Sequence, residues 1–406
     1  MRKRIAIDDF ILFFLGIYLL FLEISEYSIF YNISLLALLF SFILSFIKKP
    51  KINLNIFLIS ILLYIVYQIL LLMFHIPLSN QIFFRDIRSL FIIFMVLFVI
   101  YNIIVNDGRP DKILKLFISV TLIALIIIVI SSRDTLFTQR LSHSYNHQAA
   151  SFYLFGVPIY MSSNAFSFEL AVAFLFSIYY YKKENKKKHL ITALLFVIGV
   201  LLTGSRKGFL VLFLFIIWWI NELNKQKYLK KTFIALLVIG LSYYSIMNIP
   251  ILYNSIGERI VILQKYIFYN DVNADVRNRD TVKKLAMNKI IEKPITGYGE
   301  GAFQYFFDNV TSSNSENNYL ELLIHGGIIG LFIYYLYLFD LLKNITKEKN
   351  KTRLNNMLIM ILITMLIIEF GSVHYNSMKM LLFIILYFAN RKIEKKVLKK
   401  ETTVNE

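Results

Sequence analysis

The sequence has no cysteine, so disulfides, thiolate zinc sites, iron–sulfur clusters and thiol nucleophiles are excluded. It is poor in proline, with 6, and in charge: only 17% of its 406 residues are Asp, Glu, Lys or Arg. Soluble domains carry about 25% charged residues, and here the shortage comes with long unbroken apolar runs. Hydrophobic residues make up 57% of the chain, and mean hydropathy is +0.62. A water-soluble enzyme is thereby excluded. Acidic residues number 26 against 44 basic ones, a net charge of +18. That excess does not point to nucleic acid, because the basic residues sit between the apolar runs, as membrane topology requires. No small-residue cleavage site follows the first apolar run, which reads as a retained anchor.

Apolar runs near 20 residues must satisfy their own backbone and so predict helices. Twelve are expected, at 5–22, 28–47, 54–74, 86–105, 112–131, 161–181, 190–204, 207–221, 232–250, 317–342, 354–372 and 375–390. With the N-terminus cytoplasmic, 29 of the 44 Lys and Arg fall in the alternate segments that become inner: the N-terminus, 48–51, 106–115, 182–189, 222–231, 343–353 and the tail from 391. The fold class is an all-α polytopic membrane protein of about twelve transmembrane helices, both termini inside. Its segments are five spans in 1–131, an outer loop at 132–160, four spans in 161–250, a large outer loop at 251–316, three spans in 317–390 and a basic tail at 391–406.

The large loop is expected to contain an amphipathic helix. From Arg279 to Ile291, Val282, Leu285, Ala286 and Ile290 recur at helical spacing opposite Lys283, Lys284 and Asn288. Such a helix suits the outer membrane surface. In the other outer loop, His143 and His147 lack a carboxylate between them and are not expected to hold metal.

Three polar segments interrupt the apolar pattern. Thr203-Gly204-Ser205-Arg206-Lys207-Gly208 is a tight outer turn with two cations, suited either to snorkelling at lipid phosphate or to gripping an anion. Arg277-Asn278-Arg279-Asp280 opens the amphipathic helix, and Pro294-Ile295-Thr296-Gly297-Tyr298-Gly299-Glu300-Gly301 follows it. Glycines at alternate positions fit neither helix nor strand and mark a turn that brings backbone close to a neighbour. The third segment runs from Glu316-Asn317-Asn318-Tyr319-Leu320-Glu321 through His325 to Gly326, Gly327 and Gly330. Gly326 and Gly330 form a small-xxx-small pair for close helix packing. Glu321 and His325 suit an interhelical hydrogen bond, and Glu316 at the outer boundary could act as a base.

Together the Ser205–Gly208 turn, the Arg279…Pro294-x-x-Gly-Tyr-Gly run and the Asn317-x-Tyr319-Leu320…Gly327-x-x-Gly330 span resemble the bacterial O-antigen polymerase (Wzy) and O-antigen ligase family. They cover roughly residues 200–335; the N-terminal half resembles the family only in span number and placement. The resemblance implies glycosyl transfer between glycans on undecaprenyl diphosphate, at the outer face of the bacterial cytoplasmic membrane. It implies that Arg206 and Arg279 grip the diphosphate. Ser205, Lys207, Arg277, Gly297, Tyr298, Gly299, Asn317 and Tyr319 are the accompanying substrate-binding candidates, with Glu316 as the catalytic base. Ligase members carry His at that place, so Glu316 favours the polymerase branch over the ligase. No cofactor or metal is implied, since guanidiniums stay cationic and the outer loops lack an Asp-x-Asp. The implied partners are the lipid-linked donor and acceptor, the lipid bilayer, a flippase and a chain-length regulator. The alternative from another class is a twelve-span flippase or transporter, which usually shows two similar halves; no such repeat is visible.

Overall fold

A computed structural model describes residues 7–24, 29–74, 76, 78–131, 153–154, 157–158, 163–223, positions scattered between 237 and 265, 279–307, 315, 317–347 and 352–404. The chain is an all-α polytopic membrane protein. Among the described residues are α1 (Ile7–Ile24), α2 (Ile29–Lys48), α3 (Ile56–Met73), α4 (Asn80–Asp107) and α5 (Pro110–Ser131). A short antiparallel pairing of β1 (Tyr153–Leu154) with β2 (Val157–Pro158) precedes α6 (Ser163–Glu184), α7 (Lys187–Thr203) and α8 (Arg206–Leu223). Then come α9 (Arg279–Glu292), α10 (Ala302–Phe307), α11 (Asn318–Tyr334), α12 (Tyr337–Lys347), α13 (Arg353–Ile368) and α14 (Met378–Val404). Ile56–Met73, Asn80–Asp107, Pro110–Ile130 and the combined stretch Asn318–Thr346 are long and apolar enough to cross a membrane.

Local chemistry sets the helix ends. Asn55 caps α3 by accepting from the Leu58 amide at 2.9 Å, and Thr352 caps α13 through the Asn355 amide at 3.2 Å. Gly108, at φ 71°, turns α4 off and Pro110 opens α5. That is the order in which a left-handed residue stops one helix and a fixed φ starts the next.

Several expected boundaries are corrected. Helix α4 starts at Asn80 instead of 86, because Ser79 supplies a cap upstream of Arg85. The expected span 317–342 is broken at Gly327 and turned again at Tyr335, then continues to Lys347. Residues 369–377, split between the last two expected spans, form turns, and α14 runs on as helix through the expected tail to Val404. Most of the expected span at 232–250, and His143 and His147, lie outside the described residues.

Contacts group the chain into two units: Met1–Ser41 with Asp111–Ala274, and Phe42–Pro110 with Asp275–Glu406. In the first, α6 is buried on all sides from Phe166 to Ile178 and packs on α7 and α8. Its end meets the start of α5: Lys115 pairs with Glu184 at 2.5 Å and Lys183 with Asp111 at 2.7 Å. The start of α5 from Asp111 to Lys115 and the end of α6 at Lys183–Glu184, which the Lys/Arg alternation assigns to one side, therefore lie at one end of this unit. In the second unit α3 packs on α11 and α4, and α14 on α4 and α13. Gly326 and Gly330 both face α3. A Cβ there would sit 3.4 Å and 3.3 Å from the Tyr64 ring, so the small-residue pair does let these two helices approach.

Candidate functional site

The glycine-rich run after α9 has a definite seat. Gly297, Gly299 and Gly301 adopt φ of 66°, 84° and 79°, and Gly327 in α11 has φ 59° and ψ −162°. In an unbroken α11 the carbonyls of Ile324 and His325 would accept from the amides of Ile328 and Ile329. Instead the loop takes both pairs. Tyr298 N donates to Ile324 O at 2.8 Å and Gly299 N to His325 O at 2.8 Å. In return Ile328 N donates to Pro294 O at 2.9 Å and Ile329 N to Ile295 O at 3.3 Å. The two backbones touch: a Cβ on Gly297 would lie 2.6 Å from Ile324 O, and one on Gly327 would lie 2.2 Å from Ile295 O. The neighbour that the alternating glycines approach is the break in α11. From α3, the Tyr67 hydroxyl donates to Thr296 O at 3.2 Å and Gly326 O at 3.0 Å, binding loop and helix together.

Beneath this joint lies a buried polar cluster. The Glu300 carboxylate accepts from the hydroxyls of Tyr64 (2.6 Å) and Tyr375 (3.0 Å), and His325 Nδ1 lies 3.3 Å from it. His325 Nδ1 is also 3.1 Å from the Tyr375 hydroxyl. The Phe303 amide lies 3.4 Å from His325 Nε2, which leaves Nδ1 facing the carboxylate. Gln68 Oε1 accepts from the Glu300 amide at 3.1 Å. Side-chain exposure is 0% for Glu300 and 3% for His325, so each group depends on these partners. Glu321, one turn before His325, accepts from the Ser315 amide at 2.9 Å. The interhelical hydrogen bond expected of this pair is made by His325, which meets the Phe303 amide of α10; Glu321 instead bonds a loop amide, that of Ser315.

Helix α9 packs against the same joint. Val282, Ala286 and Ile290 form a core with Tyr298, Ala302, Phe303, Phe307 and Ile324. The apolar stripe expected to lie on the membrane surface is instead covered by protein, and Leu285 points away from it, 38% exposed. At the exposed end of the helix Tyr298 donates to Glu292 at 2.7 Å, and Lys289 pairs with Glu292 at 2.8 Å. Lys289 and then Tyr298 hold the Glu292 carboxyl below the usual carboxylate range. Burial and the Glu292 carboxylate push the Tyr298 phenol up to about 12.

The start of α11 is anchored to the end of α13. Asn317 caps α11 by accepting from the Leu320 amide at 3.1 Å and donates to Phe370 O at 3.3 Å. The Tyr319 hydroxyl donates to Leu366 O at 2.9 Å. Asn318, fully buried, accepts from the amides of His374 and Tyr375 at 2.8 Å each and donates to the Tyr335 hydroxyl at 3.0 Å.

In the first unit, Ser205 is the N-cap of α8. Its hydroxyl accepts from the Gly208 amide at 3.2 Å and donates to Asn164 at 2.8 Å, and the residue is 1% exposed. Gly204 ends α7 at φ 57°. Gly208 is required by α6, since a Cβ there would fall 2.3 Å from Ser167. The small residues of this turn thus serve capping and helix packing. Arg206 and Lys207 occupy the first turn of α8 and are half-buried.

Arg206, Ser205 and Lys207 therefore belong to the first unit, and Gly297, Tyr298, Gly299, Asn317 and Tyr319 to the second. Arg279 is the first residue of α9; its side chain, with the whole of Arg277 and Glu316, lies outside the described residues. Sequence reasoning did not single out Tyr64, Gln68, Glu300, Asn318 or Tyr375 as site residues. Only Glu300, a carboxylate between two glycines, and Gln68, a polar residue within an apolar run, carried a visible signal. Among the described residues no group of three His, Asp or Glu is placed to hold a metal ion.

Residues 191–335 match the family model described as O-antigen ligase. The matched stretch runs from α7 through the glycine-rich loop to the end of α11. No curated protein matches the chain.

Proposed function

We propose that this membrane protein, whose residues 191–335 match the O-antigen ligase family model, is a member of that family and a repeat-unit polymerase acting on lipid-linked glycans. The donor is a growing glycan on undecaprenyl diphosphate, and the acceptor is the non-reducing end of one lipid-linked repeat unit. A base removes the proton of the acceptor hydroxyl as its oxygen attacks the donor's anomeric carbon. The bond from that carbon to the diphosphate oxygen breaks, and the diphosphate leaves with its lipid. Guanidiniums stabilise the charge that builds on such a leaving group, which is the role the family resemblance implies for Arg206 and for Arg279. Glu316 takes the proton.

The observation that carries this reading is the joint between the glycine-rich loop and α11. It lies wholly within the family-matched stretch and fixes the loop to α11 by four backbone hydrogen bonds. Such a joint gives helix α9, which begins at Arg279, and the start of α11 at Asn318 a rigid support, which positioned catalytic groups need. Glu316, where ligase members have His, favours elongation of a lipid-linked chain over transfer to a different acceptor.

The test is purified protein in proteoliposomes supplied with a fluorescent lipid-linked repeat unit. Stepwise lengthening of the glycan is expected. Movement of the unit across the bilayer without lengthening would establish a flippase instead. Transfer only to an added lipid A core, with no self-extension, would establish a ligase.

A further inference from the structure

The connector between α2 and α3, residues 49–55, is not helical, yet it is held rigidly. Asn53 is buried and exchanges bonds with α4: its amide donates to Asn102 Oδ1 at 2.7 Å, and Asn102 Nδ2 donates to Asn53 O at 3.1 Å. One turn further along α4, Asn106 Nδ2 donates to Lys51 O at 3.2 Å and Asn106 Oδ1 accepts from Asn53 Nδ2 at 3.3 Å. Two asparagines at i, i+4 on α4 therefore read the connector backbone much as a neighbouring strand would. The consequence is electrostatic. Lys49 reaches Asn106 O at 2.5 Å, at the end of α4 where helix carbonyls lack partners. Lys51 is placed beside it, and α14 brings up Lys392, 5.8 Å from the Tyr101 ring centroid, with Lys396 one turn on.

Four ammonium groups from two distant segments thus converge on one place. Burial and then the charges of Lys396 and Lys51 hold the Lys392 ammonium below its ordinary value; burial, Lys51 and Lys49 do the same to Lys396. The neighbouring acids are engaged elsewhere, Asp107 with Arg109 at 2.7 Å and Glu394 with Asn390 at 3.0 Å. Among the described residues none of the four lysines has an ion-pair partner. Like charges crowded by a purpose-built buried polar ladder call for an external anion.

The surroundings choose the kind of anion. Ile47 (70% exposed), Ile52 (62%), Leu54 and Val397 stand outward beside the lysines. Helix α14 has 27 residues, about 40 Å at 1.5 Å per residue, against a hydrocarbon core of about 30 Å. Its lysines therefore reach the depth of lipid headgroups. The glycine-rich loop meets α4 near Ile82 at its other end, roughly 35 Å away along the helix, so the patch is separate from the joint between loop and α11. We propose that Lys49, Lys51, Lys392 and Lys396 form a binding site for the headgroup phosphate of an anionic phospholipid, with the apolar rim lying against its acyl chains. By the Lys/Arg alternation this is the cytoplasmic leaflet.

The test uses full-length protein in a neutral detergent, titrated with phosphatidylglycerol or phosphatidylcholine and read by native mass spectrometry. Wild type should retain phosphatidylglycerol in preference. Each Lys→Gln change among the four should weaken it about fivefold, the worth of one lysine near an anionic surface, and the fourfold Gln variant should lose the preference. A fourfold Lys→Arg variant should keep it, which separates loss of charge from loss of fold. Equal retention of both lipids by wild type, or unchanged retention by the Gln variant, would overturn the site. Displacement of phosphatidylglycerol by millimolar inorganic phosphate would overturn the lipid assignment in favour of a free anion.

Discussion

Replacing Gly327 by alanine puts the joint between loop and helix to its hardest test. At φ 59° and ψ −162° the residue occupies a region essentially reserved for glycine, and forcing another residue there costs about 1–3 kcal/mol. The new Cβ would also lie 2.2 Å from Ile295 O and 2.3 Å from Ile295 C. Backbone atoms cannot swing aside as a side-chain tip does, so the loop must withdraw. Withdrawal breaks the four backbone bonds of the joint, each worth about 0.5–1.5 kcal/mol net. Straightening α11 restores two of them as Ile328 N to Ile324 O and Ile329 N to His325 O. It also gains about 1 kcal/mol from replacing glycine in a helix. With the strain relieved by straightening, the net penalty is about 0–2 kcal/mol, and it falls on the loop, which keeps none of its four bonds to α11. Hydrogen exchange should show it: the Tyr298 and Gly299 amides should exchange far faster in Gly327→Ala, while those of Ile328 and Ile329 stay protected. Glycan extension should fall with them. Gly108→Ala is the control: it too places a side chain at positive φ, 71°, but a Cβ there meets nothing within 4 Å, and it should leave exchange at Tyr298 and Gly299 unchanged. Wild-type exchange at Tyr298 and Gly299 in Gly327→Ala would refute the reasoning.

Other substitutions separate binding from support. Arg206→Lys and Arg279→Lys keep the charge but lose the two-pronged grip; loss of a charge-assisted contact costs about 1.5–3 kcal/mol. Chain extension should drop about tenfold to a hundredfold, with single lipid-linked repeat units accumulating, and wild-type chain length at matched expression would sink both assignments. Ser205→Ala removes a helix cap, typically about 1 kcal/mol, so it should lower the melting temperature yet leave activity per folded molecule intact. A selective loss of activity would show instead that this hydroxyl meets substrate. Glu300→Gln places an amide donor among the Tyr64 and Tyr375 hydroxyls and His325 Nδ1. It should destabilise the second unit by about 1–3 kcal/mol, while Tyr64→Phe, which removes one donor, should cost less; equal melting of all three proteins would contradict the buried network. Reporters fused after Lys188 and Lys351 should register cytoplasm and one near Asn273 the outside, and an outside signal at Lys188 would break the alternation.

Much of the architecture was legible from apolar runs and caps, because a backbone in hydrocarbon has few options besides helix. The Lys/Arg pattern assigned to one side the two helix ends that meet where Lys115 pairs with Glu184 and Lys183 with Asp111. Gly326 and Gly330 announced a close helix contact by their spacing, and Gly297, Gly299 and Gly301 announced a close backbone approach. What the glycines approach was not legible, since that depends on Gly327 breaking a helix some thirty residues away. The same distance hid Glu300: nothing local distinguishes a loop carboxylate in water from one bonded to Tyr64, His325 and Tyr375. Tertiary contacts also decided that α9 turns its apolar stripe to protein, that Ser205 caps α8, and that Lys49 and Lys51 meet Lys392 and Lys396. Periodicity records which face of a segment is apolar. Only the packing of segments distant in sequence records what covers that face, and which polar groups must then find partners inside.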